Sequence, residues 1–422
     1  MVFRPWSIRV NSAAQGRLVS VDIFRGMTIA AMIIVNNLRA WTDTPRFPRL
    51  THAQWHGCNL VDCIFPFFLF IVGVTTVFSL DKRRRSGASL ARLYKQILSR
   101  TAVLFFLGLV ACSYFIVGWL FQSICPPAET QKSIWGIFLS PPADTRVFFF
   151  SLADLRIPGV LQRIALVYLV VAILVVHTGW RVQAMVAAAL LLLYWALMTA
   201  IPGFELEPGK DLGAFIDRAI FGEAHLWRYT QTWDPEGLLS TLPAIVTGLL
   251  GALTGHWLRG SRDRRDTLIG LFLFGFLGIV VGSAWKYLFP LNKYLWTSSF
   301  AVYTAGFALM FLGAWYWLSD LRQAKAIWVM PFVWLGMNPL LAYCGAQIGS
   351  LALGVLYVGA PPQHTHLITI ILHTIFGANW DVVGQTSWLD PRWPSLYWAI
   401  IYLTLWTLLM GLLYRRRIFI KI

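Results

Sequence analysis

The sequence predicts an all-α fold, a polytopic membrane helix bundle of about ten transmembrane helices. Three observations carry that prediction. Of the 422 residues, 57% are hydrophobic and only 13% are charged, about half the roughly 25% charged share of an ordinary globular chain. The apolar residues gather in runs near the roughly 20 residues needed to cross a hydrocarbon core about 30 Å thick. The segments between the runs alternate in charge, and one alternating set holds most of the Lys and Arg.

Ten runs meet the length requirement, at residues 21–40, 61–80, 98–121, 157–177, 183–201, 238–257, 267–288, 296–318, 328–357 and 395–414. The first contains Asp22 and Arg25, three apart on one helical face and able to pair, and it closes on Asn36 and Asn37. The second opens "NLVDCIFPFFLF", where Asn59 or Asp62 suits a helix N-terminus. Pro66 predicts a kink there, as does Met337-Asn338-Pro339 in the ninth run. The fourth carries Gln162 and Arg163 inside the span, and the seventh ends at Lys286, soon followed by Asn292 and Lys293. Glycines four apart, Gly251 and Gly255, Gly278 and Gly282, Gly345 and Gly349, permit close helix contact. Tryptophans at span ends, among them Trp41, Trp119, Trp227, Trp257, Trp296, Trp388 and Trp393, form an aromatic belt.

Lys/Arg bias near span ends sets orientation. The basic segments are the amino terminus, "DKRRRSGASLARLYKQILSR", "RGSRDRRD", "LRQAK" and the "YRRRIFIKI" tail, so both termini are expected in the cytoplasm. Residues 1–20 then form a cytoplasmic segment, 21–414 a single transmembrane domain and 415–422 a basic cytoplasmic tail. No cleavable leader is expected, since no apolar core precedes Val21. The outer loops are long and rich in Pro, Gly and Trp, and 364–380 inside the last reads as a short interfacial or re-entrant helix. The net charge of +16 follows from the inner segments, and no nucleic-acid motif accompanies it. Cys58, Cys63, Cys112, Cys125 and Cys344 are scattered, form no CxxC pair and read as packing residues, with no metal site.

Ionisable groups near the bilayer are costly and therefore point to function. The outer side gathers His52 and His56 in "LTHAQWHG", Asp62, and the loop carboxylates Asp217, Glu223, Asp234 and Glu236. An inner basic side suits a polyanion; the outer side suits a polar, cationic small molecule. A histidine titrates near neutrality and serves as general base or nucleophile. Asp62, ten residues after His52, can fix its tautomer or simply cap the second helix.

Several blocks together carry a resemblance: "RLVSVDIFRGMTIAAMIIVNN", the "HAQWHG" loop, "DCIFPFFLFIVG", "RIPGVLQRIALVY", "DPEGLLSTLPAIV", "NKYLWTSSF", "GMNPLLAY" and "RRRIFIKI". In this order they resemble the heparan-α-glucosaminide N-acetyltransferase family and its bacterial members. The resemblance implies a multi-pass enzyme of the bacterial inner membrane, a homodimer, with kinked helices around a central channel for acetyl-CoA. Acetyl passes from cytoplasmic acetyl-CoA to the amine of a glucosamine-type acceptor on the periplasmic side. His52 takes the place of the family's catalytic histidine, with Asn36 nearby and Asp62 to orient it; His56 is not a family requirement. Arg25, Arg163, Lys286, Lys293 and Asn338 are assigned to acetyl-CoA, and Asp234, Glu236 and Trp55 to the acceptor sugar. Two alternatives stay open: an O-acyltransferase of a cell-envelope glycan, and a transporter of amino sugars or oligosaccharides.

Overall fold

Apolar runs of span length become helices because a backbone in hydrocarbon must satisfy its own N–H and C=O groups. The computed structural model describes residues 18–38, 47, 50–111, 155–227, 229–322, 327–354, 357–358, 365–366 and 392–420. Residues 1–17, the end of the third expected span with the loop to 154, and most of the expected interfacial helix 364–380 lie outside them. The helices are α1 (Val19–Asn37), α2 (Ile64–Arg85), α3 (Leu90–Ala111), α4 (Val160–His177), α5 (Trp180–Ala200) and α6 (Leu212–Phe221). They continue with α7 (Thr241–Arg259), α8 (Arg264–Trp285), α9 (Ser298–Trp315), α10 (Met330–Met337), α11 (Pro339–Gly354) and α12 (Arg392–Arg415). Among the described residues, nine helices are long and apolar enough to cross a membrane: the protein is a multi-pass membrane helix bundle. Among the described residues, strand pairing is confined to a two-residue antiparallel ladder, Tyr357–Val358 with Thr365–His366.

The ninth expected span is two pieces. Pro339 has no N–H to donate, and Asn338 leaves the helical region at φ −126°, ψ 55°, so α10 and α11 meet at a break rather than a kink. The freed polar groups find partners. Arg25 Nε donates to the Gly336 carbonyl at 2.6 Å and Arg25 Nη2 to Asp22 Oδ1 at 2.8 Å. The buried Asn338 amide donates to the Ile418 carbonyl at 3.0 Å and accepts from the Ile420 N–H at 2.9 Å. Pro66 introduces no comparable break: it falls in the first turn of α2, where its missing N–H interrupts no intrahelical bond.

Helices α1, α2, α4 and α7 are buried along most of their length. Helices α3, α5, α8 and α12 turn Phe106, Met185, Phe276 and Leu405 outward, as lipid-facing helices must. Glycine sets the closest approaches. A Cβ on Gly73 of α2 would stand 1.9 Å from the Gly248 carbonyl of α7, and one on Gly251 of α7 would stand 1.9 Å from the Phe70 carbonyl. Gly26 and Gly336 bring α1 and α10 equally close. One end of the bundle gathers the turn before α2, the start of α4, the α5–α7 connection and the α8–α9 turn. The other gathers the basic turns, the tail, and Asp320, whose carboxylate caps α1 by accepting from the Val19 and Ser20 N–H groups at 3.0 Å.

Candidate active site

The turn before α2 is built around one buried carboxylate. Asp62 Oδ2 accepts from the Asn59 N–H at 2.8 Å and from the Ala53 N–H at 3.1 Å. Its other oxygen, Oδ1, lies 2.7 Å from His52 Nδ1. The two roles left open in the sequence, helix capping and histidine orientation, are divided between the two oxygens. Gly57 N–H donates to the Leu291 carbonyl at 2.7 Å with φ at +117°, a conformation that suits glycine. Asn59 Nδ2 closes the loop on the Thr51 carbonyl at 2.9 Å.

An ionised carboxylate only accepts hydrogen bonds, so His52 Nδ1 carries a proton toward Asp62. Lys293 Nζ lies 3.0 Å from Nδ1, 3.1 Å from Nε2 and 3.8 Å from Asp62 Oδ1. A point equally near both ring nitrogens cannot lie in the ring plane without striking Cε1. The ammonium therefore sits over the ring face, within hydrogen-bond distance of both ring nitrogens. The His52 side chain is 31% exposed and Asp62 only 1%, an accessible tip on a buried anchor.

The α8–α9 turn places Lys293. Asn292 Oδ1 accepts from the Leu295 N–H at 2.9 Å, and the Thr297 hydroxyl accepts from the Asn292 N–H while donating to the Pro290 carbonyl. Within this turn the buried Trp296 holds φ at +51°, an unfavourable conformation for a side-chain-bearing residue. It is fixed by packing against Phe65 and by a 3.1 Å bond from its indole N–H to Thr247.

An aromatic wall adjoins these groups. Trp55 stacks on Tyr294 at 5.5 Å, and Trp233 meets both edge-on at 5.1 and 5.3 Å. Trp55 Nε1 donates to the Leu206 carbonyl at 2.7 Å, which fixes the ring.

Comparison with known proteins assigns the chain. The model of "Heparan-alpha-glucosaminide N-acetyltransferase, catalytic" matches residues 17–268, which include His52, Asp62 and Asp234. The chain belongs to that family. It is 25% identical to the heparan-alpha-glucosaminide N-acetyltransferases of Mus musculus and of Homo sapiens, over 97% of its own length. It spans 61% of the length of each.

In this family member the remaining predicted site residues fall into separate groups. Asn36 is exposed and donates to Gln347 Oε1 at 3.1 Å, on α11 rather than on the imidazole. Arg25 and Asn338 hold the helix break at the opposite end. Lys286, expected at acetyl-CoA, is exposed at the end of α8, over the Tyr287 ring. Lys293, expected there too, sits on His52. Arg163 is 1% exposed; it donates to the Gly237 carbonyl and Ser240 hydroxyl and faces the Trp296 ring at 5.2 Å. His56 is exposed, with Asn292 Nδ2 at 3.5 Å from its Nδ1, and partial burial holds its pKa below the usual histidine value.

Arg156, which sequence reasoning did not single out, organises the carboxylates of the α5–α7 connection. Its Nε and Nη2 clamp Asp234 at 2.8 and 2.6 Å, and Nη2 also meets Glu236 at 2.5 Å. Burial works against this cation, but Glu236 and Asp234 outweigh it and raise its pKa. Asp217 accepts from the Leu238 N–H at 2.8 Å; burial, with Asp234 nearby, pushes its carboxyl up to about 7. The only available signal was position: Arg156 immediately precedes the "IPG" turn that opens α4.

Proposed function

We propose that the protein is a membrane acetyltransferase that carries acetyl from cytoplasmic acetyl-CoA to the amine of a glucosamine-type hexosamine on the periplasmic side of a bacterial inner membrane. The observation that carries the proposal is the 2.7 Å contact between His52 Nδ1 and a buried carboxylate that two backbone N–H groups hold in place. Such an anchor sets tautomer and ring orientation and leaves Nε2 as the base.

Acetyl-CoA supplies a thioester whose carbonyl carbon accepts the amine. The residues at the basic end fit its phosphates. Arg415, Arg416 and Arg417 are exposed where the tail meets Asn338, and Arg25 lies across the same break. His52 Nε2 takes the proton that the amine nitrogen releases as its bond to the acetyl carbon forms and the carbon–sulfur bond breaks. Asp62 stabilises the imidazolium so produced. Lys293 supplies positive charge beside the ring, where negative charge develops on the carbonyl oxygen and then on the departing sulfur. Trp55, stacked on Tyr294, offers the face for the sugar, and the loop bearing Asp234 and Glu236 lines the approach.

The test is acetyl transfer by the purified protein in detergent. With acetyl-CoA and glucosamine, release of CoA thiol in step with N-acetylglucosamine formation is expected. Amino-sugar flux through proteoliposomes with no acetylated product would instead identify a transporter, and exclusive O-acetyl product would identify the glycan O-acyltransferase.

A further inference from the structure

Two cysteines that look unrelated in sequence come together beside the site. Cys58 precedes and Cys63 closes the 3₁₀ turn Leu60–Cys63, and their sulfurs lie 3.7 Å apart. Both face the Asn59 carbonyl, at 3.7 Å from Cys58 Sγ and 4.0 Å from Cys63 Sγ. The N–H of the same Asn59 holds Asp62 Oδ2. The thiol pair, Asn59 and the carboxylate that anchors His52 thus belong to a single turn. Both cysteines are free, Cys58 partly exposed and Cys63 buried.

We propose that Cys58 and Cys63 are a disulfide-forming site that pins the turn carrying Asp62, and that its oxidant is a disulfide-bearing molecule. The Cys58 thiolate, the reachable one, attacks the oxidant's disulfide and expels one thiol. Cys63 Sγ then attacks Cys58 Sγ and expels the second. Two protein thiols and one external disulfide become one protein disulfide and two external thiols. Bond formation brings the sulfurs from 3.7 Å to about 2.05 Å. The bond then closes a short loop whose interior holds Asn59 and Asp62. In the orientation proposed above this end faces the periplasm, where disulfides persist; the chemistry itself rests only on the contact. Hydrogen bonding to Cys63 and burial hold the Cys58 thiol well above its usual pKa, so exchange is slow at neutral pH and accelerates as pH rises.

The experiment uses full-length protein in detergent, incubated with oxidised glutathione, then denatured, alkylated and analysed by peptide mass spectrometry. A species linking Cys58 to Cys63, two hydrogens lighter and unalkylated at both, is expected. Full alkylation of both, or glutathione adducts with no internal bond, overturns the proposal. Thermal melting supplies a second readout. The oxidised protein should lose Tm on addition of dithiothreitol, Cys58→Ser and Cys63→Ser should each abolish that sensitivity, and a triple Ser variant at Cys112, Cys125 and Cys344 should keep it. A reductant-insensitive wild type contradicts the pinning role. Neither readout requires acetyl transfer, so failure here is distinguishable from failure of the enzyme assignment.

Discussion

Asp62→Asn changes one atom and should silence the site without disturbing the fold. The two backbone donors at the Oδ2 position, Ala53 and Asn59 N–H at 3.1 and 2.8 Å, require an acceptor there. The asparagine must therefore turn its oxygen toward them and its NH₂ toward His52 Nδ1. A donor facing Nδ1 selects the tautomer with the proton on Nε2, so the base is lost although the ring stays in place. Stabilisation of the imidazolium by the carboxylate, at 2.7 Å, goes with it. General-base catalysis is worth roughly a hundred- to ten-thousand-fold, so kcat should fall by about that factor, or roughly 3–5 kcal/mol of transition-state stabilisation. The cap remains, and the charge lost from a buried site is that of one partner in an already paired cluster. The assay is CoA-thiol release with varied glucosamine, beside calorimetric binding of CoA. A kcat near wild type, or a loss of CoA binding that accounts for the defect, would refute the reasoning.

Other expectations follow from single contacts. Arg156→Met strands the Asp234 carboxylate, whose side chain is fully buried, and should cost about 3–5 kcal/mol, read as a lowered Tm in detergent. Asp217 titrates near 7 when folded, against about 3.9 unfolded. The folded state thus holds the extra proton between those values, stability should fall as pH rises from 4 to 7 and level off above, and Asp217→Asn should remove that part of the slope. Gly251→Val places side-chain carbon against the Phe70 carbonyl of α2; overpacking of about 1–3 kcal/mol or more should appear as loss of the monodisperse peak in size exclusion.

The bundle was legible because hydrocarbon thickness fixes helix length and the bilayer forbids exposed backbone. The glycine pairs were legible for a related reason: close contact between helices demands a missing Cβ, as Gly251 and Gly255 against α2 and Gly278 and Gly282 against α9 show. Asn338-Pro339 announced a disturbance, but a break needs partners for the freed groups. Those come from Arg25 and Ile418, far away in the chain. His52 and Asp62 are ten residues apart and could be paired by eye. Lys293 is 241 residues from His52, and nothing in "PLNKYLW" distinguishes a lysine aimed at an imidazole from one aimed at a phosphate. Asp234 and Glu236 looked free for a ligand because their partner, Arg156, lies some 80 residues earlier.

The most direct test is single-turnover acetyl transfer by His52→Ala, measured as N-acetylglucosamine formed from acetyl-CoA and glucosamine in detergent, with CoA binding measured on the same preparation. If Nε2 of His52 is the base, product formation falls to the uncatalysed rate while CoA binding and Tm hold. Product at the wild-type rate, with the variant folded and CoA bound, contradicts it.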